Sequence, residues 1–153
     1  MPVSRTLGQK RAAFALKCVR DVSDRTASGA QAEKTKAEFG QFIRKTPALI
    51  LTNGIAQATA YLQSVAEGKD GHPAGMLYKA LEDWVVKERR ILPSPADPRH
   101  GLTDLLVNGS RSAYLAAHAE ALALLGWMTK FADAFLPKPE APAQSDGEGE
   151  ATT

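Results

Sequence analysis

Few side chains in this sequence could carry out catalysis or bind a metal ion, and the histidines come first among them. His72 and His100 stand in polar segments beside glycine or proline, so we expect both to be exposed to solvent. His118 falls at one edge of an apolar helical stretch, which favours a surface or interface role over that of a catalytic base. No two histidines have the spacing of zinc ligands, and Cys18 is the single cysteine. The sequence therefore predicts no catalytic residue, no metal site and no cofactor.

Three carboxylates could be considered as a magnesium site. Glu82 and Asp83 are neighbours, and adjacent side chains on a helix point about 100° apart, so they cannot easily converge on one ion. Asp97 stands in a proline-rich segment, and we expect all three to be solvated charges. The glycine-containing segment 68–71 lacks the spacing and the following hydroxyl of a phosphate-binding P-loop. A nucleotide is therefore not an expected ligand.

Basic side chains are the remaining candidates, because lysine and arginine can neutralise the phosphates of a nucleic acid. Lys10, Lys17 and Arg20 recur at i, i+7 and i+10 along one side of the first predicted helix. A second group, Arg44 and Lys45, stands just before Pro47. A third group lies at the end of the fourth predicted helix and consists of Lys87, Arg89 and Arg90. Such charges are often only the solvated face of a helix, so their spacing alone leaves their role open.

The composition fits one globular domain with an uneven distribution of charge. The chain has 153 residues, of which 44% are hydrophobic and 24% charged. Residues 138–153 hold one of the 19 basic and four of the 17 acidic residues, which leaves 18 against 13, or +5, in residues 1–137. A mildly basic body of this kind permits a polyanionic partner without requiring one.

Three features indicate a cytoplasmic protein that does not enter a membrane. No basic and apolar leader opens the sequence, so we expect no secretion signal. Cys18 lies on an apolar helical stripe, where we expect a buried and inert thiol in a reducing compartment. The most apolar run, residues 113–128, is interrupted by His118 and Glu120 and therefore predicts a core helix.

Apolar residues at helical spacing, with no convincing strand, predict an all-α fold. We expect a compact bundle of about six helices with a bent central hairpin. The first predicted helix covers about residues 5–25, and the second starts near residues 30–32 and leads into the hairpin, which is reset at Pro47 and broken at Asn53-Gly54. The helices after that break cover about residues 55–67, 74–91, 102–107 and 111–135. Residues 1–136 would form this domain, and residues 137–153, which are rich in proline, glycine and acidic side chains, would form a disordered tail.

The central hairpin has two expected turning points. Thr46 and Pro47 fit the N-cap and the first position of a new helix, where the missing N–H of proline has no cost. Asn53 and Gly54 tolerate the left-handed conformation that ends a helix, and Asn53 could equally cap the helix that follows. The hairpin is therefore predicted to be a scaffold without a catalytic group.

The residues of this hairpin also resemble a known family. The run from Thr46 to Leu62, TPALILTNGIAQATAYL, resembles the signature of the Cmr small subunit, a helical protein of the type III-B CRISPR RNA-guided effector complex. The motif positions that match include Pro47, Asn53, Gly54 and Gln57, and those that depart without preventing a helical hairpin are Thr46, Ile55, Thr59 and Tyr61. A second similarity, to the last helix of that family, involves Tyr114, Glu120-Ala121, Trp127 and Lys130-Phe131-Ala132. The resemblance covers most of residues 7–136 and none of the tail.

This resemblance implies a non-catalytic structural subunit. Several copies of the Cmr small subunit stack beside the backbone that carries the crRNA, and the target RNA runs in the groove between them. Scattered cations suffice there, because the guide RNA reads the sequence by base pairing. The basic residues named above thus become candidate RNA-binding residues. The expected partners are further copies of the chain, the backbone and other Cmr subunits, crRNA and single-stranded target RNA.

Three alternatives stay open at the level of sequence. The small subunit of the type III-A complex is also helical and has the same task, although the Asn53-Gly54 signature favours type III-B. A small helical ribonuclease could use His118 and Lys130. A helix-turn-helix DNA-binding protein could be built around residues 74–90.

Overall fold

Helices make up the regular structure of this computed structural model, which describes residues 4–25 and 28–139. These described residues contain six α-helices, one π-helical segment and no β-strand. The prediction of an all-α bundle of about six helices is therefore confirmed. The elements in chain order are α1 (Leu7–Ser23), α2 (Ala30–Asn53), α3 (Ile55–Ala66), α4 (Pro73–Glu82), the π segment (Asp83–Glu88), α5 (Leu102–Asn108) and α6 (Arg111–Phe135).

Helix α6 contributes a large part of the core, although the side that carries Leu115 and Trp127 is exposed. It packs against α1, α2, α3 and the π segment. Its buried apolar side chains are Ala117, Ala121, Leu124, Leu125, Met128 and Ala132. Helix α1 runs beside α6 in the same direction, since Arg11 contacts Glu120 and the Ser23 hydroxyl donates to the Phe135 carbonyl. The prediction that residues 113–128 belong to a core helix is correct.

The ends of the predicted domain and tail are only partly described. Residues 137–139 follow α6 and lie against the first half of α2. Residues 140–153 lie outside the described ranges, so the predicted disordered tail stays a prediction. Within residues 4–25 and 28–139, no helix has both the length and the hydropathy needed to cross a bilayer.

Three helices begin at caps formed by the side chain of the residue directly before them, which satisfy N–H groups that a helix leaves without partners. The Thr6 hydroxyl accepts from the Gln9 amide at 3.1 Å, and Gln9 returns the contact to the Thr6 amide at 2.9 Å. The Ser110 hydroxyl caps α6 by accepting from the Ala113 amide. His72 caps α4, because its Nδ1 accepts from the Ala74 amide at 3.0 Å. The expectation that His72 is a solvent-exposed loop residue was wrong, since this cap is half-buried.

Pro47 lies inside α2 and does not start a new helix. The helix runs without a break from Ala30 to Asn53, so the prediction of a turning point at Thr46 and Pro47 was wrong. Thr46 is fully buried, and its hydroxyl donates to the Phe42 carbonyl at 2.6 Å. A proline within a helix costs about 3 kcal/mol. We attribute its tolerance to the buried apolar residues on either side, which hold both halves of α2 against the core.

Gly54 makes the predicted break between α2 and α3. Its φ is 85°, and its amide donates to the Ile50 carbonyl at 2.8 Å while its own carbonyl accepts from Ala58 at 3.1 Å. Asn53 is simply the last residue of α2, and Gln57 lies exposed on α3. Helices α2 and α3 pack against each other across this turn, as the predicted hairpin requires.

The fourth predicted helix, residues 74–91, is not a uniform α-helix. Helix α4 ends at Glu82 and continues as the π segment, in which the Arg89 amide donates to the Trp84 carbonyl five residues earlier, at 2.8 Å. Trp84, Val85 and Val86 are all buried there. Three consecutive residues of an α-helix spread over about 200°, so burying all of them requires neighbours on several sides. The π segment thereby places Arg89 next to α1 and α6.

Replacing Gly54 by alanine should destabilise the protein. A Cβ there would lie 2.6 Å from the Tyr114 hydroxyl, and alanine would have to keep a positive φ. We expect the free energy of unfolding, measured by urea denaturation, to fall by about 1–3 kcal/mol.

The matched control for this turn is Gly126→Ala on the exposed side of α6. An added Cβ meets no atom within 4 Å there, so alanine should raise the free energy of unfolding by about 0.5–1 kcal/mol through helix propensity. If both variants were stabilised, the turn at Gly54 would not depend on glycine.

Candidate nucleic-acid interface

A shallow basic groove lies between α1 and the π segment. Lys10 and Lys17 line it from α1, Arg5 lines it just before that helix, and Arg89 lines it directly after the π segment. The groove has a volume of about 350 Å³, and Glu88 is the one carboxylate among the described residues that line it. The sequence placed these cations in separate groups, and the fold brings Lys10, Lys17 and Arg89 together.

The wall of the groove between these cations is apolar. Phe14 and Trp84 pack against each other with their ring centroids 5.0 Å apart. Trp84 is only 2% exposed, so its ring offers no free face on which a base could stack. The groove therefore suits the charged backbone of a nucleic acid better than its bases.

A buried carboxylate on α6 holds the two sides of the groove together. Both oxygens of Glu120 accept from Arg11 at 2.8 Å, and one of them also accepts from the Trp84 indole N–H at 3.3 Å. Arg89 Nε lies 3.7 Å from the same carboxylate. The Arg11 hydrogen bond holds the pKa of Glu120 below its ordinary value against the opposing effect of burial. This cluster, which we call the Glu120 junction, joins α1, α6 and the π segment.

Two other predicted residues make contacts away from the groove. Arg20 lies on α1, with its guanidinium 3.9 Å from the ring centroid of Phe135 at the end of α6. Arg44 of α2 donates to Asp133 of α6 at 2.8 Å. Each of these arginines therefore already has a partner within the bundle.

The last three predicted cations are exposed and do not line the groove. Lys45 of α2 donates to the Tyr61 hydroxyl at 2.6 Å and lies over that ring. Lys87 lies 3.2 Å from Asp83, four residues earlier. Arg90 follows the π segment with a φ of 50°. The predicted RNA-binding set thus divides into one groove and several separate positions.

Comparison with known proteins identifies the family of this chain. A family model described as CRISPR-associated protein (Cas_Cmr5) matches residues 7–135, from the start of α1 to the end of α6. The chain belongs to the Cas_Cmr5 family. A crystal structure of a CRISPR-associated Cmr5 family protein from Thermus thermophilus superposes with a TM-score of 0.60 at 25% identity, and the match covers 87% of this chain and all of that one.

Membership of the Cas_Cmr5 family decides between the two CRISPR alternatives. The chain is a small subunit of the type III-B, or Cmr, complex, and its partners include other subunits of that complex. The type III-A alternative is therefore set aside. The helix-turn-helix alternative gains no support either, because α4 packs against both α2 and α3 and most of its residues are buried.

The side chains considered for catalysis are not assembled into one site in this Cas_Cmr5 family member. His118 and Lys130 both lie on α6, twelve residues and therefore about 18 Å apart along the helix axis. Burial raises the pKa of the Cys18 thiol to about 12, which makes it a poor nucleophile. Within the described residues, no group of three histidine, cysteine, aspartate or glutamate side chains could hold a metal ion.

Glu82 is a structural residue, contrary to the expectation of a solvated charge. Its carboxylate accepts from the Leu102 amide at 3.0 Å and thereby caps α5. Gly101, which precedes α5, has no side chain for this task. Asp97 forms a local pair with Arg99 at 2.7 Å, and the Arg99 hydrogen bonds lower the pKa of Asp97 to about 2. Both carboxylates therefore have partners within the chain.

Sequence reasoning missed Arg5, Arg11 and Glu120. Arg11 lies in register with Ala15 on the buried side of α1, and Glu120 interrupts the apolar face of α6. Opposite charges placed on the buried faces of two helices are a signal that they pair, because an isolated buried charge is costly. That signal is present in the sequence and could have identified the pair.

Replacing Glu120 by glutamine should destabilise the fold, because Arg11 and Arg89 lose their common counter-charge. We expect the free energy of unfolding at neutral pH to fall by on the order of 3 kcal/mol. The pKa of Glu120 is lower in the folded state than its ordinary value of 4.5. Its contribution to the free energy of unfolding is therefore complete above pH 4.5 and is lost as the pH falls through the lowered folded-state pKa. Urea denaturation at neutral and acid pH should therefore show that acid lowers the free energy of unfolding less in the variant than in the wild type.

Glu67→Gln is the control for this measurement, since Glu67 is exposed at the end of α3. It should change the free energy of unfolding by less than about 0.5 kcal/mol. Equal effects of the two substitutions would mean that the Glu120 junction does not stabilise the bundle.

Proposed function

We propose that this Cas_Cmr5 family member is a non-catalytic structural subunit whose copies stack along the backbone of the type III-B complex and help to hold the target RNA. The observation that carries the proposal is the basic groove formed by Arg5, Lys10, Lys17 and Arg89. The partners in this proposal are further copies of the chain, the backbone subunit, crRNA and target RNA, within the cytoplasm.

The groove suits backbone phosphates, which need charge and not base recognition. Lysine and arginine side chains neutralise phosphates and displace condensed counterions, whatever the sequence of the RNA. In an RNA-guided complex the guide reads the sequence by pairing, so a subunit beside it has only to retain the strand. A groove with four cations and an enclosed aromatic wall fits that task.

A strip of aromatic residues on α6 supports contact with neighbouring subunits. Trp127, Phe131 and Phe135 follow at four-residue intervals, and their rings stack with centroid distances of 5.9 and 6.3 Å. Trp127 is 41% exposed. Exposed aromatic residues are enriched in protein interfaces, so we assign this strip to packing against another copy or the backbone subunit.

Neutralising Lys10 and Lys17 together to glutamine should weaken retention of target RNA by the assembled complex. Because each phosphate contact contributes about 0.7–0.9 to the slope of log affinity against log salt, the double variant should flatten that slope by about 1.4–1.8. The loss should be similar for target RNAs of different sequence. Filter binding of the assembled complex at several salt concentrations measures the slope.

The matched control is the double variant Lys34→Gln and Lys69→Gln, which removes two exposed lysines that do not line the groove. It should leave the slope unchanged. If the groove variant behaved in the same way as this control, the RNA would not pass along this face.

The isolated protein should leave labelled RNA intact in the presence of a divalent metal, because His118 and Lys130 cannot act on one phosphate from positions about 18 Å apart. Gel electrophoresis of the products tests this. Cleavage that His118→Ala abolishes would establish the ribonuclease alternative and contradict a non-catalytic role.

A further inference from the structure

Arg89 differs from the other cations of the groove, because its contacts inside the protein are incomplete. Its Nε is buried and has no hydrogen-bond partner among the described residues. The distance of 3.7 Å to Glu120 is too long for a hydrogen bond. Two short bonds from Arg11 and one from the Trp84 indole already occupy the Glu120 oxygens. Arg89 is therefore a second cation beside a carboxylate that Arg11 has already neutralised.

The surroundings of Arg89 carry more positive than negative charge, although Lys17 lies 3.7 Å from Asp21 one turn along α1. The residues that line the groove include four cations and, among those described, one carboxylate, Glu88. At the Glu120 junction two guanidinium groups share one carboxylate. An anion that enters the groove would therefore meet an excess of positive charge beside an apolar wall, where electrostatic attraction is stronger than in open water.

We propose that Arg89 clamps one backbone phosphate of the target RNA in this groove, exchanging its long contact with Glu120 for that phosphate. The inference rests on the proposed function, which supplies RNA as the anion. Arg89 loses little in the exchange, because Arg11 continues to satisfy Glu120. It gains short, charge-assisted hydrogen bonds, for which the planar guanidinium fork is well suited. Lys10, Lys17 and Arg5 supply attraction at longer range.

Trp84 provides an internal reporter of this exchange. Its indole N–H donates to Glu120, and its ring lies in the wall of the groove. When Arg89 moves towards a phosphate, the positive charge near the indole changes, so Trp84 fluorescence should change as well. The chain has two tryptophans, so Trp127→Phe leaves Trp84 as the single emitter.

The test is a titration of the full chain carrying Trp127→Phe with a short single-stranded oligouridylate at low ionic strength. Arg89→Gln should weaken binding by about 10- to 100-fold, as expected for loss of a charge-assisted hydrogen bond, and should abolish the Trp84 response. Arg89→Lys keeps the charge and loses the planar fork, so its affinity for the oligouridylate should lie between those of the wild type and Arg89→Gln. Arg111→Gln, an exposed arginine outside the groove, should weaken binding by less than about threefold.

Each other outcome overturns the inference. If Arg89→Gln and Arg111→Gln bound the oligouridylate equally well and gave the same fluorescence response, Arg89 would not be a clamp. The proposed function would still stand in that case if the Lys10 and Lys17 double variant flattened the salt slope of the assembled complex. If polyglutamate bound as tightly as the oligouridylate and changed Trp84 fluorescence equally, the groove would be a general anion site or a site for an acidic protein segment. Arg89→Lys, which retains the charge beside Glu120, separates loss of the clamp from loss of folding.

Discussion

The arrangement of α1, α6 and the π segment depends on one buried carboxylate. Glu120 lies on the buried face of α6, and an unpaired charge there would be costly, so the fold must bring cations to it. Arg11 reaches it from α1 at 2.8 Å, and Arg89 approaches it from the end of the π segment at 3.7 Å. The contacts that satisfy Glu120 also hold the two walls of the basic groove together. Stability and the proposed RNA contact therefore depend on the same few residues.

The parts of the fold that follow from local physics could be predicted from the sequence. Helix α6 follows from its apolar periodicity and its serine cap, and the break at Gly54 follows from a residue that tolerates a positive φ. The course of α2 through Pro47 could not be predicted in this way. Local rules favour a helix start at proline, whereas burial of the turns on both sides decides the outcome. The π segment also depends on packing from several sides, which no single helical period describes.

The sequence could identify the basic residues of the candidate site, but not which of them lie together in the fold or which acidic partners they have. Lys10 and Lys17 could be selected because exposed cations at helical spacing share one face. The sequence gives no comparable signal that Arg89 is adjacent to them, since that proximity arises from the π segment and from Glu120, far away along the chain. Arg44 could not be separated from the groove residues either, because its partner Asp133 is 89 positions away.

The most direct test of this account is an electron cryomicroscopy map of the assembled type III-B complex with target RNA bound, resolved well enough to place side chains. The account predicts a backbone phosphate about 3 Å from the Arg89 guanidinium, with Lys10 and Lys17 facing the same strand. It would be contradicted if the RNA passed another face of the bundle while a neighbouring protein subunit filled the groove between α1 and the π segment.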